Sequence, residues 1–271
     1  MTPGTVPPVP PRPTLLPVRE HSRAVFVGSS ACLPQSTSAI RQPEEVTDRL
    51  TEVLTSPGPH GALHRQGTTC VRDPERPADV LDALRQAAEL ASDVLLFFYA
   101  GSAFLHGSGL VLGVGETDHR RPAETGVALD TVAEIMSTGR AARPVVILDC
   151  DYGDLAAHRF AEAVPGLSLL AAGTSSFRPT VDPFTATLIE GLTGGVQDGP
   201  ETLDLVTLQN AIEADFTRTR YFVENEYIGG PSSVLARGGR NLALGVNPAF
   251  GRNGSGALPP HPDVVHEQEA W

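Results

Sequence analysis

The chain contains no lysine: all 20 of its basic residues are arginine. That absence excludes a P-loop, a pyridoxal-phosphate Schiff base and any lysine nucleophile or general base. Positive charge of any kind is in the minority, against 32 acidic residues, and the net charge is −12. Nucleic acid and anionic membrane surfaces both require basic patches, so neither is expected as a partner. Cysteine is scarce as well. Cys32, Cys70 and Cys150 are far apart and odd in number, which fits neither a zinc spacing nor a disulfide framework. A reducing, cytoplasmic setting is therefore expected, with no metal or other cofactor. No run approaches the roughly 18 consecutive apolar residues of a membrane-spanning helix. Nor does an apolar segment follow basic residues near the N-terminus, so no secretory signal is expected.

What is present is organised around two short apolar runs. Arg143–Gly153 (RPVVILDCDYG) passes without a break from apolar residues into acidic ones. This reads as a strand buried on both faces of a parallel sheet, ending in solvent at Asp149-Cys150-Asp151. Asp93–Tyr99 (DVLLFFY) ends the same way, in Ala100-Gly101-Ser102. In open α/β sheets, ligands gather at the carboxyl ends of the strands, so Ser102 and Asp151 should face one crevice.

The remaining chain repeats the pattern of strand and amphipathic helix. A strand over Arg23–Gly28 leads to a helix over Pro43–Leu54, with Val46, Leu50 and Val53 at helical spacing. A weakly patterned strand is predicted over His64–Val71. Asp73-Pro74 then reads as the N-cap of a helix running to Ala91. Residues 128–138 and 155–163 read as helices, and 167–172 reads as a further buried strand. Alternation of this kind argues a doubly wound sheet with helices on both faces. Residues 1–20 hold seven prolines and read as a disordered arm. Its PxxP spacings (Pro8 to Pro11, Pro10 to Pro13) match what SH3-like modules take, but a plain linker is the preferred reading. Residues 251–271 are Gly/Pro-rich and polar and read as a disordered tail, leaving 21–250 as one domain.

The two strand tips resemble those of the caspase-like (caspase–metacaspase) cysteine peptidases, particularly the bacterial members. That family carries its catalytic histidine on a strand of the type LLFYFAGHG and its catalytic cysteine on one of the type VVLILDCCFSG. Here the strands read LLFFYAGSA and VVILDCDYGD. The resemblance puts Ser102 at the histidine position and Asp151 at the cysteine position. It extends through PFTATL and GG (Pro183–Leu188, Gly194-Gly195) to Leu242–Pro248, covering about 23–248, and it implies a small hairpin at Leu110–Val114, helices over 183–192 and 205–221 and a closing strand over 242–246. It implies a three-layer α/β sandwich with a mostly parallel sheet of about six strands. Within the pocket segment GTSSFRPTVDP only Ser175 and Ser176 match the family pattern. Together with Ser102 and Asp151 they mark the groove.

A cysteine peptidase needs a thiolate to attack and an imidazole to protonate the leaving amine. Serine and aspartate at those positions supply neither. Two fallback groups deserve weighing: His106, four residues past Ser102, as a base, and Cys150, beside Asp151, as a nucleophile. The ordinary readings are a solvated loop histidine and a packed core thiol. Ser102 as a nucleophile lacks a fixed base and an orienting group. The run VVILDCD also has the hhhhDxD form that opens haloacid-dehalogenase-like phosphotransferases, with Asp149 as nucleophile and Asp151 as acid/base. That family puts the motif near the N-terminus and a lysine later, and this chain has no lysine. Asp149, Asp151 and Asp154 would sooner hold an adventitious cation. The sequence thus points to a catalytically inactive caspase-like domain that binds a protein or peptide, with a homodimer or a heterodimer with an active paralogue as its implied assemblies. The alternative is an active peptidase with a relocated catalytic group.

Overall fold

The computed structural model describes residues 15–31, 43–58, 61–107, 109–153, 155, 160, 163–173, 184–219, 233–237 and 242–251. In chain order these form β1 (Arg23–Ser29), α1 (Pro43–Leu54), β2 (Thr68–Arg72), α2 (Pro77–Leu90) and β3 (Val94–Gly101). Next come the short strands β4 (Ala103–His106), β5 (Gly109–Leu112) and β6 (Val127–Ala128), with α3 (Pro122–Thr125) ahead of β6, then α4 (Leu129–Thr138) and β7 (Arg143–Cys150). The rest are β8 (Ser168–Gly173), α5 (Phe184–Gly194), β9 (Thr202–Asp204), α6 (Leu205–Thr219), β10 (Ser233–Arg237) and β11 (Ala243–Val246).

The main sheet has six strands in the order β10-β8-β7-β3-β1-β2. All neighbours are parallel except β10, which runs antiparallel to β8. Strand alternation divides the core in two. Leu95, Phe97 and Tyr99 of β3 pack with Val146 and Leu148 of β7 against α2 and α4. Leu96 and Phe98 pack with Val145 and Ile147 against α1, α5 and α6. This is the three-layer arrangement and strand number expected from the sequence. Val94 to Tyr99 are all fully buried. At about 1.5–3 kcal/mol per large side chain, β3 alone contributes on the order of 10 kcal/mol of burial, so it is the keel of the sheet. Among the described residues, no helix is long and apolar enough to cross a membrane.

Two local expectations need correction. Asp73 does not cap α2. Its φ is +41°, and its Oδ1 accepts from the Ser30 amide (2.8 Å) and hydroxyl (2.7 Å), so its carboxylate is committed to β1. The helix starts at Pro77 instead, and Asp79 Oδ2 accepts from the Arg76 amide at 2.8 Å. The second strand is likewise shorter than the predicted 64–71. His64 Nδ1 accepts from the Gln66 amide at 3.2 Å and holds a 3-10 turn over Arg65–Gly67 before β2 begins.

Leu15 to Val18, inside the stretch read as a disordered arm, are tied to the amino edge of the sheet. Arg143 forms two hydrogen bonds with Asp93 (2.8 and 2.6 Å) and also donates to the carbonyls of Leu15 (2.9 Å) and Leu16 (3.2 Å). The Val18 amide donates to Asp93 Oδ2 at 2.7 Å, and the Ala243 amide donates to the Leu15 carbonyl at 3.1 Å. The Asp93 and Arg143 side chains are only 16% and 11% exposed. Burial works to raise the Asp93 carboxyl, but the bonds from Arg143 and Val18 outweigh it and hold it below its usual range. A depressed carboxyl contributes stability above its unfolded value, about 3.9, and loses it as pH falls through the folded value. Arg143→Met should cost about 3–5 kcal/mol in chemical denaturation, because it leaves Asp93 buried without its partner. It should also remove that acid-range loss of stability, and hydrogen exchange at the Val18 amide should accelerate.

Candidate functional site at the carboxyl edge

β3 and β7 lie side by side in register from Val94↔Arg143 to Gly101↔Cys150. Ser102 and Asp151 each come one step past the last pair. Neighbouring strands are about 4.8 Å apart, so the two residues leave the sheet at adjacent points of one edge.

Ser102 is 6% exposed, and its carbonyl accepts from the Gly113 amide (2.8 Å) and the Tyr99 hydroxyl (2.7 Å). That hydroxyl also lies 2.9 Å from the Gly113 carbonyl, so Tyr99 locks the β4–β5 hairpin to the tip of β3. Gly101 has φ +154°, and a Cβ there would meet the Ser29 carbonyl at 2.6 Å and Tyr99 Oη at 2.7 Å. Only glycine fits.

Asp151 opens a tight turn and is half-buried. Tyr152 follows at φ +59°, packed against the core on the α2–α4 side. Gly153 then passes directly over β8. The two residues before Asp151 face opposite layers. Asp149 accepts a hydrogen bond at Oδ2 from the Thr185 hydroxyl of α5. Cys150 is 6% exposed and belongs to the same apolar cluster as Tyr99 and Phe160, which is a packed thiol environment.

His106 is exposed at the last residue of β4, paired with Gly109 at the hairpin end. Three residue steps from Ala103 carry it about 10 Å along the strand. Ser175, Ser176 and Asp154 lie outside the described residues. Among the described residues, no group of three or more His, Cys, Asp or Glu side chains is arranged to hold a metal.

Three participants at this edge escape a sequence reading: Thr185 as the partner of Asp149, Tyr99 as the hairpin lock, and a carboxyl pair at the tips of β1 and β2. Glu44, in the first turn of α1, hydrogen-bonds the Asp73 carboxyl that Ser30 also engages. That bond, followed by burial, raises Glu44 above the usual glutamate range. For Asp73 burial again acts upward, but the bonds from Glu44 and Ser30 win and lower it. The PFTATL motif signals the helix carrying Thr185, yet only the fold reveals what its hydroxyl reaches.

A Cβ on Gly153 would come within 2.2 Å of the Ala172 carbonyl oxygen, backbone against backbone. Gly153→Ala should therefore destabilise by about 1–3 kcal/mol in denaturant titration, as overpacked sites do. An unchanged midpoint would mean the Asp151 turn is not held in this form.

No protein-family model matches the sequence, and no curated protein matches it. Solved structures do. Caspase-1 from Spodoptera frugiperda aligns with a TM-score of 0.56 over 90% of this chain and 98% of its own, at 12% identity. A structure of pro-Sf-caspase-1 aligns with a TM-score of 0.53 over 83% of this chain and 94% of its own, at 14% identity. Likeness at this identity speaks to architecture and not to chemistry. The chain has a caspase-like α/β fold.

Proposed function

We propose that this caspase-like domain is catalytically inactive and serves as a protein-binding or regulatory module. The observation that carries the reading is chemical: the tips of β3 and β7 bear Ser102 and Asp151. The resemblance aligns these two with the family's histidine and cysteine. A hydroxyl does not titrate near neutral pH and cannot shuttle the leaving-group proton. A carboxylate is a weak nucleophile toward an amide. Removing members of a catalytic unit costs several orders of magnitude in rate, and each order corresponds to about 1.4 kcal/mol of barrier.

The alternative, a peptidase with a relocated catalytic group, asks more of the molecule. Cys150 would have to leave the apolar cluster that buries it, and His106 would have to come back from the end of the hairpin. The phosphotransferase reading of Asp149 and Asp151 rests on the short hhhhDxD run alone, and the caspase-like fold of the solved neighbours gives it no support. The crevice that would hold a substrate peptide then becomes the surface for a protein or peptide partner, with a homodimer or a pairing with an active paralogue as the assemblies to look for. A bacterial, cytoplasmic origin goes with the same resemblance.

The test is digestion of a diverse peptide mixture, with and without Ca²⁺, read by mass spectrometry beside the Cys150→Ala protein. No cleavage by either protein is expected. Cleavage by the parent that vanishes in Cys150→Ala would overturn the inactive reading.

A further inference from the structure

The main sheet ends on one side in β2, and that edge is open. β2 lies beside β1 in a parallel register that runs from Ala24↔Thr68 to Gly28↔Arg72 without a bulge. Successive residues of a strand turn their N–H and C=O alternately to one side and the other. The Asp73 amide donates to the Gly28 carbonyl at 2.8 Å, so Val71 and Thr69 also face β1. Thr68, Cys70 and Arg72 therefore turn their backbone groups outward. The Thr68 amide is spent on the Arg65 carbonyl in the 3-10 turn. Among the described residues, the Thr68 carbonyl and both backbone groups of Cys70 and Arg72 have no hydrogen-bond partner. Thr69 and Arg72 are exposed and the other three residues only half-buried, which is the exposure of an uncovered edge.

Edge strands are ordinarily blunted by lysine, proline, a bulge or a covering segment. Among the described residues β2 has none of these. Its sequence, TTCVR, holds a single charge, and that Arg72 is already paired with Asp48 of α1 at 2.8 Å. We propose that this edge is the docking surface for a second copy of the chain, with β2 pairing antiparallel to the partner's β2 about a two-fold axis at Cys70.

The strand is its own complement. About that axis Cys70 lies opposite the partner's Cys70, Thr69 opposite the partner's Val71, and Thr68 opposite the partner's Arg72. The outward N–H and C=O of Cys70 are exchanged with those of the partner's Cys70, as in the closely spaced pairs of an antiparallel ladder. Each Arg72 N–H meets the open Thr68 carbonyl across the axis. The spent Thr68 amide is not needed, because the Arg72 carbonyl at the end of the ladder stays in water. β-Branched Thr69 and Val71 oppose one another, and the arginine falls opposite a neutral threonine, so no like charges meet. Five residues make a small contact, so the dimer is weak and reversible. This edge lies across the sheet from β10, and the inference does not depend on whether the crevice at Ser102 and Asp151 is active.

The experiment reads sedimentation equilibrium of the full chain beside amide hydrogen exchange by NMR at low and high protein concentration. A reversible dimer is expected, and the Cys70 and Arg72 amides should gain protection as concentration rises. The Thr69 and Val71 amides, bonded to β1, should be protected at every concentration. Thr68→Arg sets like charges opposite one another at two symmetric positions and should weaken the dimer about tenfold. Thr68→Asp places a carboxylate opposite the partner's Arg72 and should tighten it. A chain that stays monomeric at millimolar concentration would overturn the proposal. So would a dimer whose Cys70 and Arg72 amides exchange as fast as in the monomer, or one indifferent to both substitutions, since the copies would then meet on another face. The exchange measurement uses the unaltered chain and stands even if a variant fails to fold.

Discussion

The pairing of β3 with β7 is the constraint on which the rest depends. Both strands are buried on both faces, and their register runs unbroken from Val94↔Arg143 to Gly101↔Cys150. Asp93 and Arg143 fix the foot of this pair with a two-point ion pair that is nearly removed from water. Breaking one partner of such a pair costs more than the pair itself contributes, so it sets register more than it adds net stability. Because the foot is fixed, the far ends are fixed too, and Ser102 and Asp151 emerge side by side. The same ion pair holds the Leu15–Val18 backbone across the amino edge.

A rigid frame of this kind presents whatever its strand tips carry. Glycine at 101 and 153 and positive φ at Tyr152 are the backbone devices that shape the edge. They belong to geometry, whereas catalysis belongs to the side chains placed on it. On the proposed reading, the geometry has persisted while thiol and imidazole have given way to carboxylate and hydroxyl. A crevice of that composition retains shape, hydrogen bonds and charge, which are the ingredients of binding.

Much of this was legible in the sequence, because the decisive signals are local. Unbroken apolar runs identified β1, β3, β7 and β8, and the spacing of Val46, Leu50 and Val53 gave α1 its observed limits. Where local chemistry competes with distant partners, the reading failed. Asp73-Pro74 has the form of a helix cap, but Ser30, forty-three residues away, takes the carboxylate. The two-residue β6 and three-residue β9 are too short to carry a periodicity, and they exist because β5 and β11 supply the pairing. The tie on Leu15 and Leu16 depends on an arginine 127–128 residues away. Of the groove, Ser102 and Asp151 followed from strand ends, whereas Thr185 and the Glu44–Asp73 pair required the packing of α5 and α1 onto the sheet.

The central claim is that this caspase-like edge carries no working nucleophile. Exposure of the folded protein to a peptidyl fluoromethylketone, which captures an activated cysteine thiolate, tests it directly by intact-mass and peptide-level mass spectrometry. With Cys150 packed in the same apolar cluster as Tyr99 and Phe160, the account predicts no adduct on Cys150 in the native state, with labelling appearing only on unfolding. Stoichiometric native-state modification of Cys150 would contradict the account and reveal a live thiolate at this edge.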